Sequence, residues 1–426
     1  MRLIKLPSYR QLFKETIYYA ISKAVPGLFG FASIVLFMRI FGASEYGQYS
    51  LLISQCNLIV ALGFGWLNQA QLRYYLNDRN NNNYQAIQIK ALLFCFVFCT
   101  VIITGLIFSQ SNSIELWQVC IFIILSMGGF NYIKTFYQVK ILPRMIIMLT
   151  SSQAILALLL PIGLLSFYDK KETTILLGVG LSFFIVIIYM IIKNKNNYSF
   201  SFRKNKIMEN RKSYIAKWFN YGIPISLWLA AGLALPFLDR VFINQNLPKA
   251  ELGIYSGIQE LLTRFFSLTL FPITLTLHPR IMNSWNQAKS KETLRLIFHS
   301  FILMLSLGLI IIFLVWIFND FIFFGIQKII PQFKNQYKTL LLPLLCAGFL
   351  WQLSFLTHKM LELNEKTYIM FFAILPSLII NLIGNIFFLP KFGGFATAYT
   401  AFLSALSYCL ITGFYFIFSM KKIKLL

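Results

Sequence analysis

Carboxylates are scarce in this chain: 14 Asp and Glu stand against 38 Lys and Arg in 426 residues. Charge of either sign is thin, at 12% of residues, where a soluble domain carries about 25%. That excludes an ordinary water-soluble protein of this length. The three His (His278, His299, His358) are scattered along the chain. The six Cys all fall inside apolar runs, with no zinc-site spacing and no loop framework for disulfides. They read as small buried hydrophobes, and no metal site is expected. No GxxxxGK[ST] phosphate loop occurs, so the chain has no ATPase of its own. The longest expected outer loop, Asp320 to Tyr337, holds a single acid, Asp320. A membrane glycosyltransferase or polymerase would present acids or bases there. Neither catalytic residues nor a cofactor is expected.

What the chain does have is apolar length. It is 58% hydrophobic, with a mean hydropathy of +0.69. The apolar residues come in blocks of about 20 separated by short basic gaps, the pattern of a polytopic helical membrane protein. Twelve spans are expected, at 16–40, 46–68, 87–108, 114–134, 145–167, 174–192, 214–243, 252–277, 294–319, 338–361, 367–389 and 395–419. The first is too long for a signal-peptide core and lacks a small-residue cleavage site, so it is expected to remain a helix.

The net charge of +24 does not imply nucleic acid, because Lys and Arg sit mostly in the gaps between spans. Alternate gaps, with the N-terminus and the tail, carry about three times as many of them as the other set. This bias places both termini in the cytoplasm, and an even span count agrees by putting them on the same side. The basic stretch Lys193 to Lys217 lies mid-chain and reads as a linker facing anionic lipid headgroups. It divides residues 1–212 from 213–426, two six-helix bundles.

The halves repeat. Arg39-Ile40-Phe41 matches Arg240-Val241-Phe242, and EYGQYS at 45–50 matches ELGIYS at 251–256. An even number of spans per half makes the repeats parallel, related by a pseudo-two-fold along the membrane normal. A cavity between the halves is the expected substrate site.

Charges inside the spans mark candidate site residues. Arg39 and Arg240 occupy equivalent ends of the first and seventh spans, either lining a cavity mouth or reaching lipid phosphate. Asp239 adjoins Arg240 and can pair with it or with a neighbouring helix. Glu260 and Arg264 are one turn apart on the eighth span and can form an ion pair on one face. Lys23 lies about two turns into the first span. Gln55, Asn57, Asn131, Gln259, Asn381 and Asn385 read as interhelical hydrogen-bond partners or sugar contacts.

Three stretches carry a family resemblance: RIFGASEYGQYSLL at 39–52; YGIPISLW at 221–228 with the later Asp239-Arg240 and GIYS at 253–256; and NLIGNIFFLPKFGGFATAYTAFLS at 381–404. In order and spacing they resemble the polysaccharide biosynthesis transporters, the Wzx-type flippases of O-antigen, capsule and related glycans. These belong to the multidrug/oligosaccharidyl-lipid/polysaccharide exporter superfamily. The resemblance implies a MATE-like all-α fold in a bacterial inner membrane. It implies a polyprenyl-diphosphate-linked oligosaccharide as substrate, moved to the outer leaflet by alternating access. The glycan's polymerase and chain-length machinery would be partners. It implies a cationic cavity, carried onto Arg39, Arg240, Arg264 and Lys23, and an ion-coupling acid at Glu260 or Asp239. An ion-coupled multidrug exporter of the same superfamily is the alternative.

Overall fold

The structure, a computed structural model, describes residues 9–78, 84–110, 113–140, 142–193 and 211–424. Within them the side chains of 9–23, 76–78, 84, 85, 110, 211–214, 275, 276, 279 and 421–424 lie outside the description. Every regular element among the described residues is helical. The first half holds α1 (Tyr9–Phe41), α2 (Ala43–Asp78), α3 (Tyr84–Gln110), α4 (Ile114–Val139), α5 (Pro143–Gly163) and α6 (Glu172–Lys193). The second half holds α7 (Arg211–Asn246), α8 (Lys249–Thr269), α9 (Phe271–Asn286), α10 (Ser290–Ile317) and α11 (Asn319–Ile329). It closes with α12 (Leu341–Thr357), α13 (Lys359–Leu363), α14 (Thr367–Phe392) and α15 (Gly394–Lys424).

Eleven of these segments are long and apolar enough to cross a membrane. The chain is a multi-pass membrane protein. Large apolar side chains stay exposed on the outside of the bundle, among them Val101, Phe313 and Phe414, where lipid tails replace water as solvent. The expected eighth span, 252–277, is the one that does not reach the apolar threshold. It is α8 running into α9, and Gln259, Glu260, Thr263 and Arg264 dilute its hydropathy. It divides at Leu270, with Pro272 in the first turn of α9, where proline's missing N–H is harmless. Counted by topology, α8–α9 completes twelve.

Two expectations are corrected. Residues 320–337 were expected as an outer loop, but α11 occupies most of it. This short helix buries Phe323 and exposes Phe321 and Phe324. Lys359, at the end of the expected tenth span and counted among the basic gap residues, is instead buried in α13, beside Glu362 and His278. Helix α7 is described from Arg211, and the expected boundary at 212/213 falls in its first turn. The linker residues 194–210 lie outside the described residues.

The halves meet through small residues. Gly42, at φ 91°, turns α1 directly into α2 in a conformation that suits glycine. Five residues on, Gly47 of α2 lies against Gly253 of α8: a Cβ on Gly47 would come within 2.6 Å of the Gly253 nitrogen. A Cβ on Gly253 would fall 1.8 Å from the Ala43 carbonyl oxygen. These two glycines are the matching positions of EYGQYS and ELGIYS, so the repeat touches itself there. Elsewhere α2 and α7 run antiparallel and closely packed, with the Ser226 hydroxyl donating to the Ala61 carbonyl at 2.8 Å. Without a hydrophobic drive between helices in lipid, such close backbone approach supplies the attraction.

Gly253→Val is expected to lower the thermal stability of the detergent-solubilised protein by at least the ~1–3 kcal/mol typical of overpacking, because the atom met is rigid backbone. Gly105→Ala, where a Cβ meets nothing within 4 Å, serves as the neutral comparison. Equal melting temperatures for the two variants would contradict the α2–α8 contact.

Candidate functional site

A cavity of about 680 Å³ opens in the second half, walled by α7, α8, α12, α14 and α15 and closed on one side by α2. Its charged end holds Asp239, Arg240, Glu260 and Arg264. Uncharged polar groups, including Ser54, Asn57, Ser267 and Gln352, line it elsewhere. Pro236 has no N–H to bond the Gly232 carbonyl one turn back, and Gly232 also lines the cavity.

Asp239 and Arg240 are consecutive, so they leave α7 on different faces and join different networks. The Asp239 carboxylate accepts from Asn381 Nδ2 at 2.7 Å and Asn385 Nδ2 at 3.0 Å, both on α14. It also accepts from the Tyr255 hydroxyl at 3.0 Å and Gln259 Nε2 at 3.4 Å on α8. Neutral donors thus satisfy a carboxylate that is 1% exposed. Arg240 instead donates to Glu260 Oε1 at 3.0 Å and to the Ser50 carbonyl at 3.1 Å. Glu260 also accepts from the Ser50 hydroxyl at 3.0 Å and the Tyr46 hydroxyl at 3.1 Å, both on α2. Arg264 sits one turn on, with its Nη2 3.7 Å from Glu260 Oε2. Its guanidinium lies over Gly30 of α1, where a Cβ would come within 1.8 Å of Nη1.

Glu260 is therefore the hub. Two guanidiniums share it, and its hydroxyl partners belong to the other half. Arg240 is buried, whereas the Arg264 side chain is 34% exposed.

Residues 12–285 of the chain match the polysaccharide biosynthesis protein family. The chain belongs to that family. No curated protein matches it. Its fold is that of solved MATE transporters. It is similar to the crystal structure of the eukaryotic MATE transporter AtDTX14, at 13% identity over 96% of each chain and a TM-score of 0.62. It is similar to a MATE transporter in the bent conformation, at 11% identity over 97% of this chain and 95% of that one, TM-score 0.65. An outward-facing multidrug resistance MATE family transporter of the MOP superfamily gives 12% identity over 97% and 96%, TM-score 0.60.

Against that family frame, the structure gathers four of the six predicted site residues. Asp239, Arg240, Glu260 and Arg264 share the cavity. Arg39 does not: it is exposed at the end of α1 and donates to the Lys328 carbonyl of α11 at 2.9 Å. Lys23 belongs to α1, but its side chain lies outside the described residues. The implied cationic cavity is corrected: α2 and α8 pack together at Gly47 and Gly253, and the cavity's four charges are two of each sign. Arg39 and Arg240 match in sequence but differ in surroundings, because only Arg240 has a carboxylate facing it. Sequence reasoning missed Tyr46, Ser50 and Gly30. The first two lie in EYGQYS, and Gly30 gives no sequence signal beyond being a small residue.

Outside the cavity, His278 touches Lys359 Nζ through Nδ1 at 3.1 Å.

Glu260→Gln is expected to destabilise the protein by about 3 kcal/mol, because it leaves the buried Arg240 without its counter-ion. Arg264→Gln, at a partly exposed and longer contact, should cost below ~1 kcal/mol. The comparison is made by thermal or chemical denaturation in detergent, and equal losses would remove Glu260 from its hub position.

Proposed function

We propose that this family member is an exporter. It carries a polyprenyl-diphosphate-linked oligosaccharide from the cytoplasmic to the outer leaflet of a bacterial inner membrane, with both termini cytoplasmic. The observation that carries the reading is Arg264. It lines the cavity, is partly exposed and has one long contact to a carboxylate that already serves Arg240. Two cations on one anion leave a local positive surplus at that end, although the charges cancel over the whole lining. A diphosphate is the fixed anion of such a headgroup, and guanidinium binds it through paired N–H bonds. The uncharged polar lining suits sugar hydroxyls, while the polyprenyl tail stays in the bilayer. Burying the anion beside Arg264 lowers its cost of leaving water.

The cycle follows from the contacts. Glu260 bonds Arg264 and Arg240 within the second half, and Tyr46 and Ser50 in the first. An anion that draws Arg264 away changes the charge balance at a carboxylate that holds the halves together. That gives substrate binding a lever on the alternating access of the two bundles.

Deleting the gene is expected to leave lipid-linked repeat units on the cytoplasmic leaflet and to remove surface glycan. Complementation with Arg264→Ala should fail to restore export while the protein still inserts. Arg264→Lys should restore part of it, and Arg39→Ala should restore it fully. Unchanged surface glycan in a deletion strain without a second copy would refute the proposal. A rise in drug susceptibility instead would favour the multidrug exporter.

A further inference from the structure

The cavity has a wall that carries none of its charges. From Leu344 to Phe355 it follows α12, about three turns of helix. Trp351 and Gln352 are neighbours on that stretch, and both line the cavity. Neither is charged; the export reading built on Arg264 does not use Trp351, and it counts Gln352 only as part of the uncharged polar lining.

The Trp351 indole is fixed from behind. One face stacks on Tyr408, with ring centroids 5.4 Å apart and planes 28° apart. Tyr408 is fully buried. Its hydroxyl accepts from Trp228 Nε1 at 2.9 Å and lies 3.3 Å from His358 Nδ1. Trp228 in turn meets the His358 ring edge-on at 5.2 Å. Three buried or half-buried rings from α7, α15 and the end of α12 thus hold the indole in one orientation. Trp351 itself remains half-buried, with its free surface on the cavity. Gln352 is 8% exposed, and its side-chain Oε1 has no hydrogen-bond partner. A buried amide oxygen without a donor is costly, and a ligand hydroxyl would satisfy it.

A rigid aromatic face beside an unpaired acceptor matches one ligand chemistry well. A pyranose ring has an apolar C–H face and an edge of hydroxyl donors. A bare phosphate has neither, and a flat organic cation brings no row of hydroxyls.

We infer that Trp351 and Gln352 form a sugar subsite of the cavity. The C–H face of one pyranose of the exported glycan stacks on the indole, and one of its hydroxyls donates to Gln352 Oε1. This rests on the glycolipid reading above and adds to it a place for the sugar, apart from the place for the diphosphate. The headgroup is then held at two points, by charge at Arg264 and by stacking at Trp351.

The test uses the purified full chain in detergent and two probes. One is the lipid-linked oligosaccharide extracted from cells lacking the gene, and the other is the same polyprenyl diphosphate without sugars. Wild type is expected to bind the glycolipid more tightly than the bare lipid. Trp351→Leu should weaken glycolipid binding about tenfold and leave the bare lipid within about twofold, while Trp351→Phe, which keeps a ring, should stay within about threefold of wild type. Gln352→Met, close in volume, should weaken the glycolipid selectively, because it removes a hydrogen bond that only the sugar makes. Should Trp351→Leu fail to fold, Gln352→Met decides with the same two probes. Weakening of both probes alike, or of neither, would overturn the subsite and leave the exporter reading standing. Failure of wild type to bind the extracted lipid would overturn the glycolipid reading, and the subsite with it.

Discussion

One carboxylate, Glu260, ties this structure together. It sits on α8 of the second half and accepts from Arg240 of α7 and from Tyr46 and Ser50 of α2, with Arg264 one turn away. A lone carboxylate at this depth in a membrane protein would be costly. Here each oxygen has a charged or hydroxyl partner, and the partners come from both halves. Removing it strands a buried guanidinium, whereas removing Arg264 leaves the rest intact. That asymmetry separates Arg240, which holds the fold, from Arg264, which we propose holds the ligand. Asp239 follows a different rule. Four neutral donors from α8 and α14 satisfy it, so it needs no cation, and its neighbour Arg240 is released to Glu260.

Small residues make those contacts reachable. Gly47 against Gly253 brings α2 and α8 to backbone distance, and Gly30 leaves room for the Arg264 guanidinium. Bulkier residues there would push α1 and α2 away from α8, and the Tyr46 and Ser50 hydroxyls would no longer reach Glu260. Packing and electrostatics are therefore coupled at the centre of the protein. The repeat places a glycine from each half at the same contact, so the closest approach falls where the two halves mirror each other.

Much of the architecture was legible in the sequence because the bilayer imposes a simple rule. Every backbone polar group must be satisfied within the membrane, so long apolar runs become helices. The runs were read correctly, and so was the repeat. The eighth span, 252–277, was read as an apolar run although its polar and charged residues leave its own hydropathy weak. The amphipathic helix α11 was missed. Its eleven residues are too few to span, and they read as part of an outer loop. Lys359 was misplaced because a basic residue at the end of a span is counted with the gap, and only folding shows that Glu362 and His278 lie beside it.

The sequence by itself determined that this is an all-helical membrane protein of two similar halves, and which charges lie within its spans. Those follow from composition and period, which act locally along the chain. Tertiary structure decided which of those charges meet. Arg39 and Arg240 are equivalent in the repeat, yet one is exposed against a backbone carbonyl and the other is buried against Glu260. Ion pairing depends on separations of a few ångströms between residues far apart in the chain, and no local pattern encodes them. The same holds for Trp351, whose support by Tyr408, Trp228 and His358 comes from three separate segments.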